Sequence, residues 1–277
     1  MNKSARAEKL IKKLYQETFK KIFTKETLKE ASKGKYTDVY SRMLQLQNSE
    51  KYNKLCEEFA KKLTAVGLNK QKGIWKKYYE AAKEMRHIVL PSTYKEFQIQ
   101  MMRKAVEKNF KMIKTIPSSI MKVYEQKNVD DLINEVALGN ASRKAFEKHL
   151  KKQGAKNARV IARTEAAKLQ TTIDEIGSTS LGSVCYEWLS SKDRRTRPSH
   201  RDMNGVIVFW RDDAQKPLLD NMRGNAGEFP NCRCSPLSIF DENDLTKSSY
   251  RVYNYKTDKI ITLPKKKLLE CIKKGGL

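Results

Sequence analysis

The stretch "SVCYEWLSSKDRRTRPSHRDMNGVIVFW", residues 183–210, holds the two segments of the chain whose composition is most typical of β-strands. Residues 183–190 alternate as a half-buried strand does, and residues 205–210 are a run of β-branched and aromatic side chains. A loop rich in arginine and aspartate separates the two segments. This stretch therefore predicts a short antiparallel sheet whose connecting loop carries the polar side chains.

Upstream of this stretch the sequence is typical of one helix after another. Apolar residues recur at steps of three and four between lysines, for example Leu55, Phe59, Leu63 and Val66. Glycine is a common helix terminator, so we expect helices to end at three glycines: Gly67, Gly154 and Gly177. The predicted fold class is α+β, with a long basic all-helical N-terminal region followed by a small α+β domain with a short antiparallel sheet.

The changes in composition predict three segments. A helical basic region spans 1–125, and a compact α+β domain spans 126–240. Residues 241–277 form a C-terminal extension, in which "YRVYNYKTDKIITLP" (250–264) predicts a hairpin and "KKKLLECIKKGG" (265–276) a short basic helix.

The charge of the chain indicates an anionic partner. Lys and Arg number 57 against 32 Asp and Glu, a net charge of +25, and residues 1–150 alone hold 33 basic and 17 acidic side chains. Such an excess favours nucleic acid first and a membrane surface second. The sequence has neither a signal-peptide core nor a stretch approaching the roughly 20 apolar residues that span a bilayer. We therefore expect no membrane partner, and a chain that stays in the cytosol of its producer.

The cysteines and histidines raise the question of a metal site. Five cysteines, an odd number with three of them far apart, do not make a disulfide framework. Cys232 and Cys234 could bind zinc with His200 as a third ligand and Cys185 as a fourth. However, the two cysteines are only one residue apart, and Cys185 lies in a strand pattern where a buried free thiol is common. The sequence therefore predicts no stoichiometric metal and no cofactor.

Two other interpretations compete for the polar residues. A nuclease would use His200 for acid–base chemistry, with Arg195 and Arg197 holding the phosphate and Glu165 beside them. Alternatively, arginine forks hold Glu165 and Asp193 in a structural clasp. The sequence has no glycine-rich phosphate loop, Ser-His-Asp elbow or paired-carboxylate motif. The structural interpretation is therefore favoured, and no catalytic residue is assigned.

Three stretches resemble a known family. "ARVIARTEAAKLQ" (158–170), "YEWLSSKDRRTRPSHRDMNGVIV" (186–208) and "FPNCRCSP" (229–236) are similar, in order and with compatible gaps, to the tailed-phage minor head proteins, the phage Mu F-like head morphogenesis family. The resemblance covers roughly 155–237. The motif residues that it implies are Arg163, Thr164, Glu165, Trp188, Asp193, Arg195, Arg197, His200, Gly205, Asn231, Cys232, Arg233 and Cys234.

The resemblance implies a minor capsid protein of a tailed bacteriophage, present in few copies inside the head. Its implied partners are the portal protein, the procapsid or scaffold, and packaged double-stranded DNA bound without sequence preference. It would reside in the host cytoplasm during assembly and in the capsid interior afterwards, and could aid genome packaging or ejection. The motif residues are then expected to form a folding and docking unit. The alternatives are a nuclease-like enzyme using His200 and the neighbouring arginines, and a general nucleic-acid-binding protein using the helical lysines.

Overall fold

The computed structural model describes residues 5–31, 37–83, 90–124 and 143–277. The chain divides into two compact units, each assembled from two separate segments. The first unit comprises Met1–Val66 and Val106–Ala166, and the second comprises Gly67–Ala105 and Ala167–Leu277. The α+β class is confirmed. The predicted division at residue 125 falls outside the described residues.

In the described residues, all of the elements before residue 125 are helices. They are α1 (Ala5–Ile22), α2 (Lys25–Ala31), α3 (Thr37–Asn48), α4 (Glu50–Lys83), α5 (Tyr94–Lys114) and α6 (Ile116–Tyr124), followed by α7 (Arg143–Ser180). Within the described ranges, none of the helices is both long and apolar enough to cross a membrane.

The first unit is held together by apolar helix faces. Helix α1 buries Ala7, Ile11 and Leu14 on one side, at the spacing that places residues on one helical face. This helix contacts α3 and α6. One buried polar pair lies between α4 and α5, where the Asn109 side-chain amide donates to Thr64 Oγ1 at 2.9 Å. The first unit is therefore an apolar helical core with a buried hydrogen bond of its own.

The glycines do not end the helices as predicted. Helix α4 continues through Gly67 to Lys83, and α7 continues through Gly154 and Gly177 to Ser180. In the second unit two of these glycines allow close approach between helices. A Cβ atom at Gly177 would lie 2.4 Å from Cη2 of Trp75, and one at Gly67 would lie 2.2 Å from Cδ1 of Ile173. At Gly67 and Gly177 the local sequence signal was misleading, because these glycines make room for residues far away in the chain.

We expect Gly177→Ala to lower the free energy of unfolding by about 1–3 kcal/mol, because the rigid indole of Trp75 must move. This loss should appear although alanine favours a helix over glycine by about 1 kcal/mol. The matched control is Gly73→Ala on α4, where a Cβ atom would meet nothing within 4 Å, and which should be neutral or stabilising. Urea denaturation of the full chain measures both. A Gly177→Ala variant as stable as the control would contradict the close approach.

The second unit contains a five-stranded sheet of order β5-β1-β2-β6-β7. Both strands predicted around residues 183–210 are confirmed, as β1 and β2. The full set is β1 (Cys185–Leu189), β2 (Ile207–Phe209), β5 (Ser235–Ile239), β6 (Ser249–Asn254) and β7 (Lys259–Pro264), with a separate ribbon of β3 (Leu218–Leu219) and β4 (Met222–Arg223). Two short helices complete it, α8 (Pro198–Asp202) between β1 and β2 and α9 (Lys265–Lys273) at the C-terminus.

The predicted antiparallel pairing holds for β1 and β2, but the sheet as a whole is mixed. Strands β1, β2 and β5 pair antiparallel, and β6 and β7 form an antiparallel hairpin, but β2 pairs with β6 in parallel through Ile207 and Val252. The chain leaves β5 at one edge of the sheet and crosses to the far side of β2 before it enters β6. Residues after 240, predicted as an extension, thus contribute two strands to the same sheet as β1 and β2. Strand direction depends on this crossover, which side-chain patterns do not encode.

The alternation along β1 separates two cores on opposite faces of the sheet. Tyr186 and Trp188 belong to a core with Val208, Phe229, Cys232 and Cys234. Cys185 belongs to the other core, with Ile207, Ile239 and Val252. Because neighbouring side chains on a strand point to opposite faces, Cys185 lies across the sheet from Cys232 and Cys234. The suggestion of Cys185 as a fourth zinc ligand is therefore wrong.

Candidate functional site

The polar residues between β1 and β2 converge on His200. Pro198 occupies the first position of α8, which suits a residue with a fixed φ and no N–H, and His200 follows two residues later. The loop closes beyond the strands, because Trp188 N–H donates to the Val206 carbonyl and Gly205 N–H donates to the Trp188 carbonyl, at 2.9 and 2.8 Å. Gly205 has a φ of +78°, a value that favours glycine. This closure holds the short helix against the sheet.

The imidazole of His200 is enclosed by aromatic rings. Its exposed fraction is 3%, and its ring stands edge-on to Phe229 and to Trp188, with centroid distances of 4.8 and 5.8 Å. Edge-to-face contacts of this kind stabilise beyond the area they bury. The ring is therefore held in one orientation, with its two nitrogens directed to different environments.

One nitrogen of His200 faces the two cysteines. Its Nδ1 lies 3.4 Å from the Cys232 sulfur and 3.6 Å from the Cys234 sulfur, and neither sulfur is in a disulfide. The turn that brings both sulfurs to one place depends on Asn231, whose φ of +52° lies in the left-handed region that asparagine tolerates. Cys234 N–H donates to the Cys232 sulfur at 3.4 Å. We call His200, Cys232 and Cys234 the His-Cys cluster.

The two buried thiols share one favourable site for negative charge. Hydrogen bonds from Cys234 and from His200 lower the pKa of the Cys232 thiol, although burial opposes this change. The pKa of Cys234 is raised, first because its proton is held by Cys232 and then because it is buried. The two thiols are thus coupled, and the cluster favours the loss of one proton from the pair and opposes the loss of the second.

The other nitrogen of His200 faces an ionic rim. Its Nε2 lies 3.3 Å from Arg197 Nη1 and 3.5 Å from Asp220 Oδ2. Arg197 also donates to Asp220 at 2.9 Å and to the Pro230 carbonyl, and Ser199 donates to Asp220 at 2.7 Å. The Ser199 hydrogen bond and the arginine lower the pKa of the Asp220 carboxyl. Asp220 therefore links α8 to the β3–β4 ribbon.

A second ionic contact joins the two motif segments. Arg233 donates to both carboxylate oxygens of Asp193 and, by this hydrogen bond above all, lowers the pKa of that carboxyl to about 2. Asp193 in turn accepts from Arg195 N–H and from the Thr196 hydroxyl. Both charged side chains are about one-third exposed. The pair therefore fixes the geometry of the loop more than it stabilises the fold.

The structure places the motif residues in two groups. Residues from Trp188 to Cys234 come together in the second unit, whereas Arg163, Thr164 and Glu165 lie on α7 in the first unit. Arg233 pairs with Asp193, one of the two carboxylates that the sequence suggested for the arginines, and Arg197 pairs with Asp220, which the sequence did not suggest.

Sequence reasoning missed Asp220, Phe229 and a buried ion pair between Lys216 and Glu228. The only local signal at Asp220 is the Asp-Asn pair at 220–221, whose positive φ values form the tight turn of the ribbon.

A cavity of about 30 Å³ lies beside the cluster. Ser191, Thr196 and Asn231 line it together with the cluster and with Arg195, Arg197 and Arg233. This volume accommodates a water molecule or a small ion, and it is far smaller than a nucleotide. Because His200 is also buried, the arrangement suits a clasp between loops, or a site for a small ligand, better than the cleavage of a polymer.

The comparisons with known proteins agree with the resemblance seen in the sequence. Residues 127–237 match the family described as Phage Mu protein F like protein, which confirms that resemblance for this segment. An uncharacterized protein of Haemophilus influenzae is 28% identical over 138 residues, which are 49% of this chain and 29% of the relative. The chain thus spans well under half the length of that relative. No solved structure matches.

Proposed function

We propose, from the premise that residues 127–237 match the phage Mu protein F-like family, that the chain is a head morphogenesis protein of a tailed bacteriophage. In this proposal it is a minor component of the capsid interior, where it associates with the portal and procapsid and lies near packaged DNA. The observation that carries the proposal is the family match, which includes every member of the His-Cys cluster and its rim. The second unit then serves as a folded docking module and not as a catalytic centre.

The geometry supports a docking role in a specific way. The segments 188–205 and 229–234 are far apart in sequence, yet aromatic contacts, the Arg233–Asp193 ion pair and the hydrogen bond from Arg197 to the Pro230 carbonyl hold them in one arrangement. The side chains that face outward from this arrangement include Lys192, Arg194 and Arg201, which line an open depression with Asp193. A rigid loop surface of this kind can present the same charged groups to a partner in every copy.

Co-expression of the full chain with the portal and scaffolding proteins of the same phage tests the proposal. We expect the chain to co-purify with the portal and to enter procapsids in few copies. Nuclease treatment before purification removes any association bridged by nucleic acid. Procapsids that form normally, exclude the chain and leave the portal unbound would refute the proposal.

We also expect direct, sequence-independent binding to duplex DNA. The net charge of +25 supplies the attraction, although several lysines on α4, such as Lys54 and Lys61, already pair with glutamates one turn away. Each phosphate that the protein neutralises should contribute about −0.9 to the slope of log affinity against log salt concentration. Fluorescence anisotropy with two unrelated duplexes over a salt series measures this slope. Binding that is absent at low salt, or that does not respond to salt, would remove DNA from the proposal.

A further inference from the structure

The ligand atoms of the His-Cys cluster are arranged as they would be around a metal ion. The sulfurs of Cys232 and Cys234 and the Nδ1 of His200 all lie within 4.8 Å of one another, and each of the three residues is buried. A search of the described residues for three or more His, Cys, Asp or Glu side chains with ligand atoms this close together finds this cluster. We propose that the cluster is a binding site for a thiophilic divalent metal of the zinc class, held by three protein ligands.

The distances fit a tetrahedral ion. With metal–sulfur bonds of about 2.3 Å and metal–nitrogen bonds of about 2.0–2.1 Å, the sulfur–nitrogen edge of a tetrahedron is about 3.5 Å. The two sulfur–nitrogen distances are 3.4 and 3.6 Å. One ion can therefore contact all three atoms with little movement of the surrounding loops.

The opposite side of the imidazole is suited to a metal-bound histidine. Metal-binding histidines usually donate their second ring N–H to a carboxylate or carbonyl, which fixes the tautomer. Here Nε2 lies 3.5 Å from Asp220 Oδ2 and 3.3 Å from Arg197 Nη1, which only donates; when metal binding places the proton on Nε2, Asp220 is the acceptor beside it and the Nδ1 lone pair is left for the ion. Ser199 and Arg197 hold Asp220 in this place.

The fourth ligand comes from solvent. Cys185 lies on the other face of the sheet, so it cannot complete the site. The cavity of about 30 Å³ that the cluster helps to line has room for one water molecule. The sequence offers three ligands, Cys232, Cys234 and His200, which are too few for a closed zinc site of four protein ligands. An open site of three protein ligands and one water removes that objection.

The role of such an ion is to fasten two loops together. His200 belongs to the connection between β1 and β2, and the two cysteines belong to the segment that leads into β5. An ion bound to all three residues would link these segments, and binding would stabilise the folded state over the unfolded chain. This inference stands independently of a role in the phage head.

Titration of the metal-free full chain with Co²⁺ and Zn²⁺ tests the proposal. We expect one equivalent of metal per chain, a sulfur-to-cobalt charge-transfer band, displacement of cobalt by zinc, and a higher Tm with zinc. Cys232→Ser and Cys234→Ser should abolish the band and the shift in Tm. The matched control is Cys271→Ser, which changes a partly exposed thiol outside the cluster and should retain both.

A second measurement covers variants that fail to fold. In the wild-type chain, zinc should protect Cys232 and Cys234 from alkylation, and a chelator should expose them, as read by mass spectrometry of the labelled peptides. A folded wild-type chain that takes up less than a tenth of an equivalent of either metal, with the same labelling with and without chelator, would overturn the metal site. That outcome would leave the thiols and His200 as a hydrogen-bonded cluster.

Discussion

Replacing Trp188 by alanine should lower the free energy of unfolding by about 3–5 kcal/mol. Trp188 has no exposed surface, lies on the strand next to the sheet edge formed by β5, and packs its ring edge-on to His200 and tilted against Phe229. Its removal opens a cavity beneath α8 and withdraws one wall of the His200 pocket. The loop between β1 and β2 cannot collapse freely into this cavity. We therefore expect most of the lost packing energy to appear as a lower free energy of unfolding.

Urea denaturation of the full chain, followed by circular dichroism, measures the effect. Trp188→Phe, which retains an aromatic ring, should cost much less than the alanine variant. Leu237→Ala serves as the control, since that side chain on β5 is 48% exposed and surface substitutions usually change stability by about 0.5 kcal/mol or less. A whole domain is typically stable by roughly 5–15 kcal/mol. If the free energy of unfolding of Trp188→Ala lies within about 1 kcal/mol of the wild-type value, this account of the core is contradicted.

The second large effect is expected at the buried ion pair of Lys216 and Glu228. The two side chains are only 6% and 11% exposed, and the ammonium lies 3.0 Å from Glu228 Oε2. That carboxylate also accepts the backbone N–H of Asn225 at 2.8 Å. Removing one partner of a buried pair typically costs about 3–5 kcal/mol, and here it would leave the Lys216 ammonium with the exposed carboxylate of Asp213 in place of a buried one. We therefore expect Glu228→Ala to be among the most destabilising single substitutions in the second unit.

Two controls separate the buried pair from ordinary surface charge. Asp213 also contacts Lys216, at 2.7 Å, but it is 92% exposed, so Asp213→Ala should cost about 1 kcal/mol or less. The double variant Lys216→Met, Glu228→Leu should be more stable than Glu228→Ala alone, because no buried charge then remains without a partner. If Glu228→Ala proves as mild as Asp213→Ala, the pair does not carry the stability assigned to it.

The same pair sets a direction for the effect of pH. Burial alone would lower the pKa of Lys216, but the charges of Glu228 and Asp213 outweigh it, and the folded-state pKa lies above the ordinary value. For a cationic group shifted in this direction, the stabilisation is fully present at neutral pH. It is lost as the pH rises through the folded-state pKa. Stability should therefore fall on the alkaline side in the wild type, and less so in the double variant.

The sequence by itself determined the α+β class, the two strands around residues 183–210, and the set of residues from Trp188 to Cys234 that resembles a family. These features are local. Alternation along β1, the β-branched run of β2, and a motif whose members recur in order are all readable from neighbouring residues. The net charge of +25 is likewise a property of composition alone.

Only the tertiary structure decided where those residues meet. Gly177 continues a helix because the indole of Trp75, about a hundred residues earlier in the chain, lies against it. Asp220 pairs with Arg197, and Glu228 pairs with Lys216. The spacing of the motif residues does not predict either contact. Cys185 was separated from Cys232 by the sheet itself, and β6 joined β2 in parallel because of a crossover. In each case the deciding interaction joins residues distant in sequence, and its energy exists only once the chain has folded.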